Sequence, residues 1–287
     1  MSAPFRCGFV AILGRPNAGK STLLNALLGE KLAITSARAQ TTRGRLLGVL
    51  TRPSAQLIFC DTPGVHRGQA RFNKAMTETA LHAAEDADVR LLLFDAAGEW
   101  DAPEAQLAEL AHPLLLVRTK VDLAKPSPVP PSARFDGAFE ISVGPESSTG
   151  LEVLLEAIER HLPEGPQLYP DDYLTDRPLR FLAAEQVREV AFEIYRDEIP
   201  YAIAVEVEEW KEAEDAIRIR ANVLVERESQ KAIVVGQGAR MLKQLGTEAR
   251  LRLERWLETR VHLQLWVKTD KNWSHKPRRA RELGYLN

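Results

Sequence analysis

Gly14-Arg15-Pro16-Asn17-Ala18-Gly19-Lys20-Ser21 is the stretch on which the reading of the fold turns. It fits the phosphate-loop pattern G-x-x-x-x-G-K-S, directly after an apolar run at 7–13 and directly before a helical stretch at 20–28. Each position has a physical reason. Glycines let the backbone curl so that successive N–H groups, from Arg15 through Thr22, point inward at phosphate oxygens. The helix that follows adds the positive end of its dipole. Lys20 is expected to bridge β- and γ-phosphates, and the Ser21 hydroxyl to ligate Mg²⁺. The bland alternative, a Gly-rich turn ahead of an ordinary helix, is disfavoured by this strand–loop–helix setting.

Outward from the loop, short apolar runs alternate with helical stretches. Residues 45–51, 56–60, 89–95, 114–118 and 138–142 are strand candidates. Several are unbroken apolar runs such as Leu91-Leu92-Leu93-Phe94, which suits strands buried on both faces. With a helix at 150–162, the alternation predicts an α/β fold, a doubly wound and mostly parallel sheet with ligands at the C-terminal strand ends. From 163 to 178 the pattern stops, and four prolines with three aspartates read as a linker.

Beyond it the grammar changes. A helix at 179–197 precedes two half-buried strands, Ile203, Val205 and Val207 alternating with polar residues, then Ile217, Ile219, Ala221, Val223 and Val225 alternating with Arg218, Arg220 and Asn222. A helix at about 239–258 and a last strand with Leu263, Leu265 and Val267 on one side complete a smaller α+β domain. The expected organisation is 1–163, a linker at 164–178, a second domain at 179–270 and a basic tail at 271–287.

Charge follows the same division. The chain carries a formal −2, yet residues 231–287 hold 13 Lys and Arg against 5 Asp and Glu, or +8, which leaves −10 for the rest. A basic end on an acidic body suggests a polyanionic partner, with a solvated helix face as the rival reading. Two cysteines, Cys7 and Cys60, sit in apolar runs and read as buried thiols of a reducing compartment. No signal peptide and no apolar run near the ~20 residues of a membrane span is visible, so a cytoplasmic protein is expected.

The identity of the nucleotide rests on later positions. Asp61-Thr62-Pro63-Gly64 follows a strand; Asp61 can hold Mg²⁺ through a water, and the Gly64 N–H can sense a γ-phosphate. Thr119-Lys120-Val121-Asp122 ends another strand. A carboxylate at Asp122 can accept from N1–H and the exocyclic amine of guanine, a donor pair that adenine lacks. Lys120 would cover the base with its alkyl stem. Ser142 opens a loop whose N–H near Val143 can meet guanine O6.

These motifs resemble the small GTPases, and Gln40-Thr41-Thr42-Arg43 together with the C-terminal domain resembles the Era family of bacterial ribosome-assembly GTPases. The resemblance covers essentially the whole chain. It implies GTP as substrate, Mg²⁺ as cofactor, and Thr42 as the switch threonine that closes on Mg²⁺ and the γ-phosphate, with Thr41 and Thr35 as the weaker candidates. It makes Lys20, Thr42 and Gly64 the catalytic set. It implies a type II KH-like domain that holds single-stranded RNA, the 3′ end of 16S rRNA, in 30S assembly. Peripheral membrane contact and a monomeric state are further expectations.

Four positions matter, two of them, Thr119 and Val143, departures from the family pattern at the nucleotide. Thr119 replaces an asparagine and Val143 an alanine, so the tie between phosphate loop and base is expected to loosen. Val65 stands where Ras-like enzymes keep a water-orienting glutamine, so turnover should be slow. Related GTPases use K⁺ held partly by the loop asparagine, here Asn17, and the same role is expected of it. The fourth lies in the RNA loop. A KH loop reads GxxG and clamps a few nucleotides, and here it is Gly236-Gln237-Gly238-Ala239. An alanine in helical dihedrals would fit, whereas one at positive φ would be strained. Ile233, Val234 and Val235 are expected on the apolar side of the groove, with Arg240 and Lys243 for phosphates. Trp273 in the tail either stacks a base or packs on the domain.

The rival functions are a nucleotide-gated RNA-binding protein with incidental hydrolysis, and a P-loop ATPase or kinase with a basic accessory domain. The favoured expectation is a GTPase whose nucleotide state controls RNA access.

Overall fold

The computed structural model describes residues 4–36, 44, 46–61, 81–125, 127–129, 133–144 and 148–285. Packing divides the chain into two units, residues 1–33 with 42–176 and residues 34–41 with 177–287.

The first unit is built on strands β1 (Arg6–Gly14), β2 (Leu46–Thr51), β3 (Ala55–Asp61), β4 (Val89–Asp95), β5 (Leu114–Thr119), β6 (Gly137–Val143) and β7 (Ser148–Thr149). Their order in the sheet is β2-β3-β1-β4-β5-β6-β7. Strands β3, β1, β4, β5 and β6 run parallel, with β2 and β7 antiparallel at the edges. Every residue of β3 is buried, and so are all but the last of β4. Strands covered on both faces favour apolar side chains on both, which is why these runs do not alternate. The buried Gln56, Asp61 and Arg90 within them are hydrogen-bonded. Helices α1 (Lys20–Leu28), α2 (Ala102–Leu107) and α3 (Leu151–His161) belong to this unit.

Because β1 lies between β3 and β4, the order of connection reverses beside it, and a crevice for ligands opens at such a switch point. Gly14 ends β1 there. Its φ of +144° and a position where a Cβ would come 2.6 Å from the Leu93 carbonyl leave room for glycine alone.

The stretch read as a linker is bound back onto this unit as far as Asp176. The buried side chain of Gln56 accepts from the N–H groups of Leu168 and Tyr169, both at 2.9 Å, and donates to the Tyr169 carbonyl at 2.8 Å. Asp176 accepts from Leu47 N–H at 3.1 Å. A buried amide must find partners, and here it finds them in the passing backbone.

The second unit contains α4 (Leu179–Ile194), α5 (Ile199–Ala202), β8 (Ala204–Glu212), β9 (Ala216–Val225), α6 (Glu228–Val235), α7 (Arg240–Leu257), β10 (Arg260–Thr269) and α8 (Pro277–Glu282). The sheet order is β10-β9-β8, with β8–β9 antiparallel and β9–β10 parallel. Helix α6 corrects the expectation of a single helix between the second and third strands. The alternation holds as read: Ile219, Ala221, Val223 and Val225 face a core shared with Val187, Val190 and Ala191 of α4 and Leu245, Ala249 and Leu253 of α7. Val234 is fully buried in that core, which corrects its expected place lining a groove.

The region read as a basic tail folds onto the outer side of the sheet. Trp273 is 2% exposed, donates from Nε1 to the Ala202 carbonyl at 3.0 Å, and packs with Ala204, Leu224, Leu283 and Tyr285. Of the two roles weighed for Trp273, packing is the one observed, because its ring has no exposed face to offer a base.

Candidate functional site

The phosphate loop leaves β1 at Gly14 and enters α1 through Gly19, whose φ is +87°. Asn17, with φ +64°, is exposed at the loop's crest. Lys20 folds back under the loop, donating from Nζ to the carbonyls of Gly14 at 3.1 Å and Arg15 at 2.8 Å. Burial lowers its ammonium to about 8, and the carboxylate of Asp61 opposes that shift. A lysine so held is a preformed, poorly hydrated positive charge. Asp61, the last residue of β3, is fully buried and accepts from the Ser21 hydroxyl at 2.9 Å. Lys20, Ser21 and Asp61 are thus brought together from two elements at one end of the sheet.

Arg15 lends its backbone to the loop, but its side chain points elsewhere. The guanidinium lies 3.5 Å from Asp101 and 3.5 Å from Glu104 of α2. Glu104 is 2% exposed, and burial raises its pKa. Asp101 and Glu104 form the capping box of α2 with Pro103 in its first turn. The sequence D-x-P-E is a legible helix start, yet α2 is absent from the elements expected above.

The base-side motif ends β5. Thr119 is buried, and its hydroxyl donates to the Ala18 carbonyl of the phosphate loop at 2.8 Å, with the Phe94 carbonyl at 3.5 Å. The shorter side chain thus still holds the phosphate loop. A hydroxyl reaches the loop directly because Gly19 brings the backbone close; a Cβ on Gly19 would lie 3.7 Å from Thr119. Lys120, at φ +60°, pairs with Asp95 at the end of β4 at 2.6 Å. Asp122 stands exposed in the turn after β5. Ser142 is buried and Val143 half-buried at the end of β6. Gly14, Asp61, Asp95, Thr119 and Val143 all end strands that pair in parallel, so one edge of the sheet collects the whole set. Thr42, Thr62, Pro63 and Gly64 lie outside the described residues, as do Gln40, Thr41, Arg43 and Val65. Thr35 donates from N–H and hydroxyl to Glu189 of α4, at 2.9 and 3.0 Å.

In the second unit, α6 ends at Gly236 (φ +69°) and a tight turn, Gln237–Ala239, leads into α7. Gly238 has φ +58° and Ala239 φ +61°. The closing alanine is in the left-handed region, the strained alternative of the two foreseen, and its N–H closes the turn on the Gly236 carbonyl at 3.1 Å. The Tyr195 hydroxyl, donating to the Val234 carbonyl at 2.9 Å, pins the end of α6 from below. Nothing in the sequence pattern marked that contact. Ile233 is 51% exposed and Val235 half-buried beside the loop. Gln237, Gly238, Arg240 and Lys243 are exposed, and the two cations have no ion-pair partner among the described residues. Among those residues no group of three or more His, Cys, Asp or Glu is placed together.

Comparison with known proteins gives a consistent result. A family model for a 50S ribosome-binding GTPase matches residues 9–120, and a KH domain model matches residues 198–274. The GTPase Era of Geobacter metallireducens is 45% identical, with 98% of each chain covered. That of Lacticaseibacillus paracasei is 44% identical, over 97% of this chain and 96% of the relative. Among solved structures, Era in complex with MgGDPNP and nucleotides 1506–1542 of 16S ribosomal RNA superposes with a TM-score of 0.88 at 37% identity, covering 99% and 100% of the two chains. A single-residue variant of Aquifex aeolicus Era bound to GDP·AlF4⁻ gives 0.89 at the same identity and coverage.

Proposed function

This chain belongs to the GTPase Era family, and we propose that its first unit binds and slowly hydrolyses GTP while its second holds single-stranded RNA at the 3′ end of 16S rRNA. The observation that carries the nucleotide half is the buried Lys20 ammonium beside the Ser21–Asp61 pair, at the strand ends where Asp122 stands free to read a base. An Asp carboxylate and a Ser hydroxyl 2.9 Å apart are hard oxygen donors of the kind Mg²⁺ takes. Ser21, Asp61 and, on the loaded site, Thr42 would hold it. When bound, the ion supplies positive charge to the oxygens of the transferring phosphoryl group.

The chain's own part is positioning and charge. Lys20 and the amides from Arg15 to Thr22 would neutralise the charge that gathers on the β- and γ-phosphate oxygens, and Gly64 would contact the γ-phosphate. Thr119 fixes the loop to β5, so phosphate and base recognition share one frame. Asp122 accepts from guanine's two donors; Lys120 covers the ring, and the backbone near Ser142 and Val143 faces O6. Val65 cannot orient water, so we assign to K⁺, held in part by Asn17, the charge that an arginine supplies elsewhere.

On the RNA side, the loop Gly236–Ala239 would clamp the backbone, Ile233 and Val235 would line the groove, and Arg240 and Lys243 would meet phosphates. The whole-chain relative carries small-subunit RNA, whereas the 50S description belongs to a model that ends at residue 120, before the KH unit. We therefore favour the 30S subunit. The same reading has the protein work in the cytoplasm as a monomer that meets membranes only peripherally, with nucleotide state governing RNA access.

Turnover of GTP and of ATP in KCl and in NaCl, with the wild type and Asn17→Ala, tests the first half. GTP alone should be hydrolysed, faster in KCl, with the difference lost in Asn17→Ala. ATP turned over as well as GTP would overturn base selection, and equal rates in both salts would remove K⁺. Arg240→Glu should abolish binding of a 16S 3′-end oligonucleotide; unchanged affinity would move the RNA site elsewhere.

A further inference from the structure

We propose that Asp95, at the end of β4, is a positioning residue for the base: its carboxylate holds the Lys120 ammonium so that the lysine stem lies ready to cover guanine. The inference rests on the nucleotide reading above, in which Lys120 and Asp122 meet the base.

Strands β4 and β5 pair in parallel with Asp95 opposite Thr119, so the segments that follow them leave the sheet side by side. The segment after β4 grips the segment after β5 at two points. Ala96 donates its N–H to the Thr119 carbonyl at 2.9 Å, and its own carbonyl accepts from Ser127 N–H at 2.9 Å. Between those bonds runs the turn that carries Lys120 and Asp122, closed by Leu123 N–H on the Lys120 carbonyl at 3.0 Å. Asp95 adds a side-chain tie. Its Oδ2 accepts from Lys120 Nζ at 2.6 Å, and its Oδ1 accepts from Ala97 N–H at 3.0 Å. The second bond is local, an aspartate bonding the backbone two residues on, and it fixes the carboxylate that makes the first.

Two features separate this pair from an ordinary surface bridge. Lys120 sits at φ +60°, where an L-residue is strained and persists only because its surroundings hold it. Both side chains are also largely covered, 36% and 30% exposed for Lys120 and Asp95. A free lysine stem samples many rotamers, and stilling it on a base costs affinity. Asp95 holds the far end of that stem before any base arrives. The same carboxylate lines a cavity of about 210 Å³ with Pro16 and Ala18 of the phosphate loop, so it stands where the phosphate and base sides of the site meet.

Titration of the full chain with GDP and Mg²⁺, together with GTP turnover, tests the idea. Asp95→Asn keeps an oxygen for Ala97 and removes the charge. It should weaken GDP about fivefold, raise KM for GTP about as much, and leave kcat within about twofold. Asp95→Glu, which restores the charge, should recover most of that loss. In a Lys120→Met background Asp95→Asn should cost nothing further, because the two residues act as one unit. Unchanged GDP affinity in Asp95→Asn, additive losses in the double variant, or a fall in kcat at constant KM overturns the proposal. So does a lowered unfolding midpoint of Asp95→Asn with the same loss in both backgrounds, which would make the residue merely structural. An Asp122→Asn variant that keeps full GDP affinity fails earlier, at the base reading itself.

Discussion

Ala239 closes the RNA loop with φ +61° and ψ +23°, where an L-residue with a Cβ is strained by about 1–2 kcal/mol. Ala239→Gly removes that strain but adds about 0.5–1 kcal/mol of backbone entropy to the unfolded chain. The net expectation is a gain of roughly 0.5–1 kcal/mol, or a rise of about 2–5 °C in the unfolding midpoint of the second unit. The neighbouring glycines calibrate the effect. Gly238 has nearly the same dihedrals, and a Cβ there meets nothing within 4 Å, so Gly238→Ala should cost the conformational strain alone, about 1 kcal/mol. Gly236→Ala should cost more, because its Cβ would stand 2.6 Å from Met241 Cγ and 3.2 Å from the Met241 amide nitrogen. Calorimetric unfolding of the three variants supplies the ranking. RNA affinity of Ala239→Gly should stay within about twofold, since the loop already has the shape glycine would take. A midpoint that falls in Ala239→Gly, together with a harmless Gly238→Ala, would refute the left-handed assignment.

Two further variants probe the nucleotide unit. Thr119→Val keeps the volume but leaves the Ala18 carbonyl without its hydroxyl donor, a loss of about 1–3 kcal/mol; GDP titration should show affinity falling about tenfold, and unchanged affinity would deny Thr119 its tie to the loop. The Lys20 value near 8 lies below that of free lysine, so in the nucleotide-free state the unfolded chain holds the proton more tightly. Stability from this group is therefore lowest below pH 8 and rises towards pH 10.5, by about 3 kcal/mol in all. Lys20→Met should flatten that rise in urea unfolding measured across pH 7.5–10.5; a slope identical to wild type would place the ammonium in water.

Much was legible without coordinates, because backbone and burial impose local rules. Glycines at 14 and 19, a lysine at 20 and unbroken apolar strands leave few folds open, and alternation in β8, β9 and β10 needed only the geometry of a strand. The misses share a different cause. Helix α6 is only eight residues long and carries its apolar residues as one run at its end rather than at helical spacing, and the stretch at 164–176 looked loose because its anchor, Gln56, lies more than a hundred residues away.

Sequence by itself supplied the proposal that phosphates meet Gly14–Ser21 and a base meets Asp122, since those motifs carry their own chemistry at fixed spacing. Tertiary structure alone decided whether Thr119 reaches Ala18, whether Ala239 sits left-handed, and whether Trp273 is free to stack. Each of these depends on a distance or a dihedral set by partners remote in the chain, and no local pattern encodes such a quantity.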